Sequence, residues 1–217
     1  NFSELGSELV TNGDFATDSD WNKGGSWIIN NGKASIDYND GSDGRLTQGI
    51  SFTQNKTYKV VFTISNYVSG NFRIEFRFGG SSTVSSNFNA NGTYTLYLKA
   101  GQNHSQFSIR ALSNPIGSID NVSVKQVDPN DRWTLQTGWG YGDGVANCDG
   151  SQSGNANIFQ PVSFTAGSVY KVSFDVSNYS AGTVKIVFGD TGGTLRSANG
   201  NYVELFTFVS GSNFFIQ

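Results

Sequence analysis

The chain has 217 residues, among them 27 Gly, 17 Phe and 9 Tyr, with 14% charged residues, three Pro and no Met. Strands joined by tight polar turns use that residue set, and few stretches hold the Leu, Ala, Glu and Lys that a helix needs. With a net charge of −3 and no run of Lys or Arg along the sequence, neither nucleic acid nor an anionic membrane surface has an electrostatic partner, and no apolar run approaches the roughly 18 residues of a membrane span.

The opening NFSELGSELV reads as the start of a mature or partial chain cut from something longer. Next comes LVTNGDF at 9–15, then Trp21, then WIINNGKASI, whose Asn31-Gly32 pair predicts a tight hairpin. Tyr58, Val60, Phe62 and Ile64 alternate with Lys59, Val61, Thr63 and Ser65, which is the period of a half-buried strand. A second strand sets Phe72, Ile74, Phe76 and Phe78 against Arg73, Glu75 and Arg77, and a third sets Tyr94, Leu96 and Leu98 against Thr95, Tyr97 and Lys99. A fourth sets Phe107 and Ile109 against Ser108 and Arg110, and Ile119, Val122 and Val124 mark a last one. Seven or eight short strands in about 110 residues predict a two-sheet β-sandwich of jelly-roll type.

The sequence then repeats. SFTQNKTYKVVFTISNY from Ser51 and SFTAGSVYKVSFDVSNY from Ser163 share ten of seventeen letters, and the same offset of 112 pairs Trp21 with Trp133, Trp27 with Trp139, Ile36 with Cys148 and Phe76 with Phe188. After Phe76 the offset falls to 108, Phe107 meets Phe215, and Ile109 falls opposite Gln217. The closing segment of the first copy, RALSNPIGSIDNVSVKQV, then has no counterpart in the second. The expected organisation is all-β: a first jelly-roll sandwich at 1–127, a polar linker DPNDR at 128–132, and a second sandwich at 133–217 lacking its closing strand, which a continuation of the chain or a neighbour would supply.

LVTNGDF, Trp21, the WIINNGKASI hairpin, the YKVVFTIS strand and the closing SIDNVSV together resemble a carbohydrate-binding module of the galactose-binding-domain-like jelly rolls of family 4/9/22 type. The tandem, low-charge, Asn/Gly/Ser-rich style also resembles repeats in virion fibres and appendages of marine bacteriophages. The resemblance implies a non-catalytic adhesion or structural part at an extracellular or virion surface, oligomeric with other subunits and in contact with cell-surface polysaccharide. Two alternatives stay open: a carbohydrate-binding module of a secreted polysaccharide-degrading enzyme, and a ligand-free spacer of a surface adhesin.

The candidate glycan-binding residues are the outward row Arg73, Glu75, Arg77, Tyr97, Lys99 and Arg110, which would be contiguous with Lys59 and Thr63 if neighbouring strands align. The other reading of this row is a solvated or subunit-contacting face. The four Trp are either sugar-stacking platforms or core, and their repetition at fixed spacing favours core. Cys148, standing where the first copy has Ile36, reads as a small buried apolar residue. No cofactor is required; Asn12, Asp14 and Asp120 could offer oxygens to a structural Ca2+, or else serve a turn and a strand end. Catalysis finds little support, since the one histidine, His104, lies in a Gly/Asn turn, and Asp37 with Asp149 is the only acid pair the repeat keeps.

Overall fold

The structure, a computed structural model, describes residues 2–37 and 44–217 and is all strand and turn throughout those residues. It divides into two compact units, Asn1–Pro129 with Tyr141–Gly144, and Asn130–Gly140 with Val145–Gln217.

Unit 1 contains β1 (Leu5–Glu8), β2 (Asn22–Lys23), β3 (Trp27–Asn30), β4 (Lys33–Asp37), β5 (Arg45–Phe52), β6 (Thr57–Phe78), β7 (Ser81–Val84), β8 (Gly92–Lys99) and β9 (His104–Val127). Two strands predicted separately from the alternation at 58–65 and 72–78 are one strand, β6, and the two predicted at 107–110 and 119–124 are likewise one, β9. These two long strands pair antiparallel along their length and bend together. Backbone in the left-handed region marks the bend, at Asn66 (φ 54) and Gly70 (φ 83) in β6 and at Ser113 (φ 60) and Asn114 (φ 57) in β9. Gly70 is required there, because a Cβ would meet the backbone of Leu112 and Pro115 at 2.5–2.9 Å.

The bend turns a continuous ladder into two layers. On one side of it the order is β2, β5, the first half of β9, the second half of β6, and β7; on the other, β8 joins the first half of β6, which joins the second half of β9, followed by β4 and β3. Inward residues of the two layers meet: Tyr58 lies edge-on to Phe76 at 5.6 Å and to Phe52 at 4.8 Å, and Trp27 reaches Phe72 at 6.1 Å. Val60, Phe62, Phe72, Ile74, Phe107 and Ile109 are fully buried. Trp21 and Trp27 belong to this core, and Asn31-Gly32 forms the hairpin turn with both residues at positive φ, as the sequence predicts.

Unit 2 contains β10 (Thr134–Leu135), β11 (Trp139–Gly142, whose last two residues cluster with unit 1), β12 (Val145–Cys148), β13 (Ile158–Pro161), β14 (Val169–Val176), β15 (Ile186–Phe188), β16 (Thr191–Gly192), β17 (Gly200–Thr207) and β18 (Asn213–Ile216). One of its layers is complete, in the order β10-β13-β18-β15-β16, strand for strand the β2-β5-β9-β6-β7 layer of unit 1. Side-chain detail repeats too. Thr165 N donates to Tyr170 Oη at 2.9 Å as Thr53 N does to Tyr58 at 2.8 Å, and Tyr179 Oη donates to Gly182 O at 2.9 Å as Tyr67 does to Gly70 at 3.0 Å.

The ladder corrects the sequence alignment by one residue. Phe188 pairs with Phe214, and Ile186 with Ile216, as Phe76 pairs with Phe107 and Ile74 with Ile109. Phe107 therefore corresponds to Phe214 and not Phe215, and Gln217 corresponds to Arg110. Letter matching cannot choose between two adjacent Phe, whereas a one-residue slip in a strand sends the ring to the other face.

The second layer of unit 2 is open. β14 pairs with β17 and β11 with β12, as two separate two-stranded sheets that no strand joins among the described residues. The missing element is thus the counterpart of residues 116–127, a central strand and not an edge. Cys148 and the second pair of Trp show the result. Cys148 is exposed, against the expectation of a buried apolar residue: Ile36 in unit 1 lies beside Gly117 of β9, and the described residues of unit 2 hold no counterpart of that strand; Trp133 and Trp139 are partly buried.

Candidate functional site

The outer face of the β2-β5-β9-β6-β7 layer in unit 1 carries the most unusual side-chain arrangement in the chain. Pairing sets Arg45 opposite Arg110 and Arg110 opposite Arg73, and in the next pleat Thr47 opposite Ser108 and Ser108 opposite Glu75. All six point away from the core, since Leu46, Ile74 and Ile109 between them point into it.

Four guanidinium groups converge on one carboxylate. Arg73 reaches Glu75 Oε1 at 2.6 Å through Nη2 and donates to it from Nε at 2.8 Å, while Arg45 Nε donates to Oε2 at 3.2 Å. Arg77 Nε lies 3.6 Å from Oε2 and Arg110 Nη1 lies 3.7 Å from Oε1. The Glu75 side chain is 1% exposed, whereas each arginine keeps a quarter to a third of its side chain in solvent. Burial alone would push the Glu75 carboxyl up, but hydrogen bonds from Arg73 and Arg45 and their positive charge outweigh it and hold it below the usual carboxylate value.

Among the described residues, four guanidinium groups thus gather on one carboxylate in a chain whose net charge is −3. No basic cluster is visible along the sequence because the four arginines come from three strands; only the register gathers them. Beneath them Ser108 is completely buried, and its Oγ has no hydrogen-bond partner among the described residues. A buried hydroxyl left so costs free energy unless something else completes it.

The sequence-predicted row is therefore divided between two surfaces. Arg73, Glu75, Arg77 and Arg110 come together, and Arg45, which sequence reasoning missed, joins them. Tyr97 and Lys99 lie on β8 in the other layer, where Lys59 pairs with Tyr97 and its ammonium sits 5.8 Å from the ring centroid. The alternation placed each residue outward correctly; the bend in β6 separates Lys59 from Arg73. Arg45 was findable from its alternation with Leu46 and Gln48, both buried.

A second, shallow groove lies on the outer face of β3, β4 and the second half of β9, where Ser35 Oγ meets Ser118 Oγ at 2.9 Å beside Asn66, Asp37 and Ile28. None of its described lining residues is aromatic or cationic.

Of the calcium candidates, Asn12 and Asp14 stand in the opening loop and Asp120 in β9. Asn12 Nδ2 donates to the carbonyls of Thr17 at 2.8 Å and Ser19 at 3.0 Å, Asp14 Oδ1 accepts from Ala16 N at 3.3 Å, and Asp120 Oδ1 accepts from Asn121 N at 2.6 Å. The opening loop does meet the closing strand, through Val122 N donating to Gly13 O at 2.8 Å. Among the described residues no group of three or more His, Cys, Asp or Glu converges. His104 is buried, its Nε2 2.9 Å from Thr83 Oγ1 and its Nδ1 without a partner, and burial holds its pKa down.

No family model and no curated protein matches the chain. Among solved structures it is similar to the N-terminal CBM22-1–CBM22-2 tandem domain of Xyn10C from Paenibacillus barcinonensis, with 12% identity over 99% of this chain and 91% of that one and a TM-score of 0.34, a likeness too low to carry a ligand or a site across.

Proposed function

We propose that the protein is a non-catalytic attachment module, and that unit 1 binds acidic polysaccharide through the outer face formed by Arg45, Arg73, Arg77 and Arg110. The observation that carries this reading is the convergence of four half-solvated guanidinium groups on one buried carboxylate. A planar guanidinium fork matches a uronate carboxylate or a sulfate ester in bidentate fashion. Glu75 holds the arginines in place beforehand, so less side-chain freedom is lost when a polymer docks. Copy two has Asn157, Lys185, Gly189 and Gln217 where unit 1 has Arg45, Arg73, Arg77 and Arg110, and Val187 in place of Glu75, so binding resides in unit 1.

The setting we favour is a virion or cell-surface fibre or appendage, in which weak single contacts multiply over many copies. A module of a secreted polysaccharide-degrading enzyme would use the same face. Affinity electrophoresis of the full chain through gels containing polygalacturonate, dextran sulfate or neutral xylan tests the ligand class. Retardation by the acidic polymers is expected, at least about tenfold weaker in Arg73→Ala and Arg77→Ala and unchanged in Tyr97→Ala. Equal retardation by xylan, or none by either acidic polymer, would overturn the reading.

A further inference from the structure

Across β11 and β12 the sequence reads YGDGVA, and its Asp143-Gly144 pair makes the two-residue turn that Asp-Gly favours, with both residues at positive φ (46 and 79). Both residues belong to unit 1. There Gly144 bridges Phe2 in antiparallel fashion, and Tyr97 Oη donates to Asp143 Oδ1 at 3.2 Å. Between this turn and the outward side chains of β6 and β8 lies a cleft of about 240 Å3. Its apolar part is Val127, which is 3% exposed, with Leu5 and Phe2. Its polar part is Lys59, Tyr97 and Asp143. The Lys59 ammonium sits 5.8 Å from the Tyr97 ring centroid and makes no hydrogen bond or ion pair with any described residue, Asp143 included, and Asp143 Oδ2 receives no donor among them.

We propose that this cleft is a second binding site of unit 1, and that it takes a single neutral pyranose, the terminal unit of a glycan. An ammonium only donates and a carboxylate only accepts, and here the two stand apart around one aromatic ring with their charges balanced. Hydroxyl groups, which both donate and accept, complete such a pair without adding charge. One sugar hydroxyl donates to Asp143 Oδ2, a neighbouring one accepts from Lys59 Nζ, and the C–H face of the ring lies on Tyr97 and the apolar patch. The volume is below the roughly 300–1,000 Å3 of ordinary ligand pockets, so the cleft holds one ring and not a chain. Unit 2 pairs Lys171 with Leu205 at the matching place and so lacks the ring. The four arginines take no part, and this inference does not depend on the reading given to them.

Amide resonances of the 15N-labelled full chain test it, followed while the methyl glycosides of galactose, glucose and xylose are titrated one at a time. Shifts at Lys59, Tyr97, Asp143 and Gly144 that saturate together with at least one glycoside are expected, with a dissociation constant on the order of 1 mM, as the few contacts of one ring allow. Asp143→Asn keeps the turn, because Asn tolerates positive φ, and Tyr97→Phe keeps the ring while releasing the carboxylate. Each is expected to weaken binding at least about fivefold. Absence of saturable shifts with all three glycosides up to about 100 mM overturns the proposal, as does full affinity in Asp143→Asn. Shifts at the same amides with galacturonate or alanine as strong as with the best neutral glycoside also overturn it, because the cleft would then be reading charge.

Discussion

Replacing Glu75 by Gln keeps the shape of the arginine cluster and removes its charge. In the native site the carboxylate takes three close contacts, from Arg73 at 2.6 and 2.8 Å and from Arg45 at 3.2 Å, with Arg77 and Arg110 beyond 3.5 Å. Hydrogen bonds to a charged group contribute about 1.5–3 kcal/mol, and removing one member of a fully buried ion pair costs about 3–5 kcal/mol. Here the orphaned arginines recover water, being a quarter to a third exposed, and the Gln oxygen still accepts one hydrogen bond. The expected loss is therefore about 2–3 kcal/mol, or roughly 30- to 150-fold less protection of the β6 amides at 58–64 by hydrogen exchange. Affinity for polygalacturonate, measured well below the melting temperature, is expected to fall, but by less than in Arg73→Ala, because the four positive charges remain while the carboxylate that orders them is gone. A change below about 0.5 kcal/mol in stability would refute the energetic reasoning, and affinity that stays level or rises would refute the ordering role given to Glu75.

Other outcomes follow from the same geometry. Phe62→Ala, at a fully buried ring, is expected to cost unit 1 about 3–5 kcal/mol, and the matching Phe174→Ala less than about half of that in unit 2, both read by denaturant titration with exchange detection. His104 favours its neutral form in the fold, so its contribution is intact above the unfolded value of about 6.5 and is lost as pH falls below it. Thermal melts of unit 1 between pH 7.5 and 5 are expected to decline and to flatten in His104→Gln. Glu75 adds a separate fall at lower pH: its folded pKa is depressed, so its stabilisation is full above the usual carboxylate range and is lost as pH drops through and below it. Asn12→Ala removes the three side-chain bonds that close the 12–19 loop and is expected to cost about 1–2 kcal/mol, by the same amount in Ca2+ and in EDTA; a melting temperature that rises with Ca2+ in the native chain but not in the variant would make Asn12 a ligand.

Strand alternation and the repeat were legible in the sequence because both rest on core letters: Tyr58, Val60 and Phe62 face inward in unit 1, and Tyr170, Val172 and Phe174 repeat them. What the letters could not show depends on neighbours. The bend in β6 rests on left-handed backbone at Asn66 and Gly70 and separates Lys59 from Arg73, two residues that alternation alone places in one row. The choice of Phe214 over Phe215 is made by the partner strand, through Phe188. The arginine cluster is invisible for a related reason: Arg45, Arg73, Arg77 and Arg110 are scattered over 66 positions of sequence and meet only across three strands. Cys148 matches Ile36 letter for position, yet it is exposed, and the described residues of unit 2 hold no counterpart of the strand beside Ile36.

The most direct test of the function is to watch the arginines themselves. Arginine Nε–H resonances of the 15N-labelled full chain, assigned by single Arg→Lys variants, are followed while an oligogalacturonate is titrated. Shifts that saturate together at Arg45, Arg73, Arg77 and Arg110, with the amides of Lys59, Tyr97 and Lys99 unmoved, are the predicted result. Shifts centred on Lys59, Tyr97 and Lys99, or on Lys171 and Lys185 of unit 2, would contradict the account.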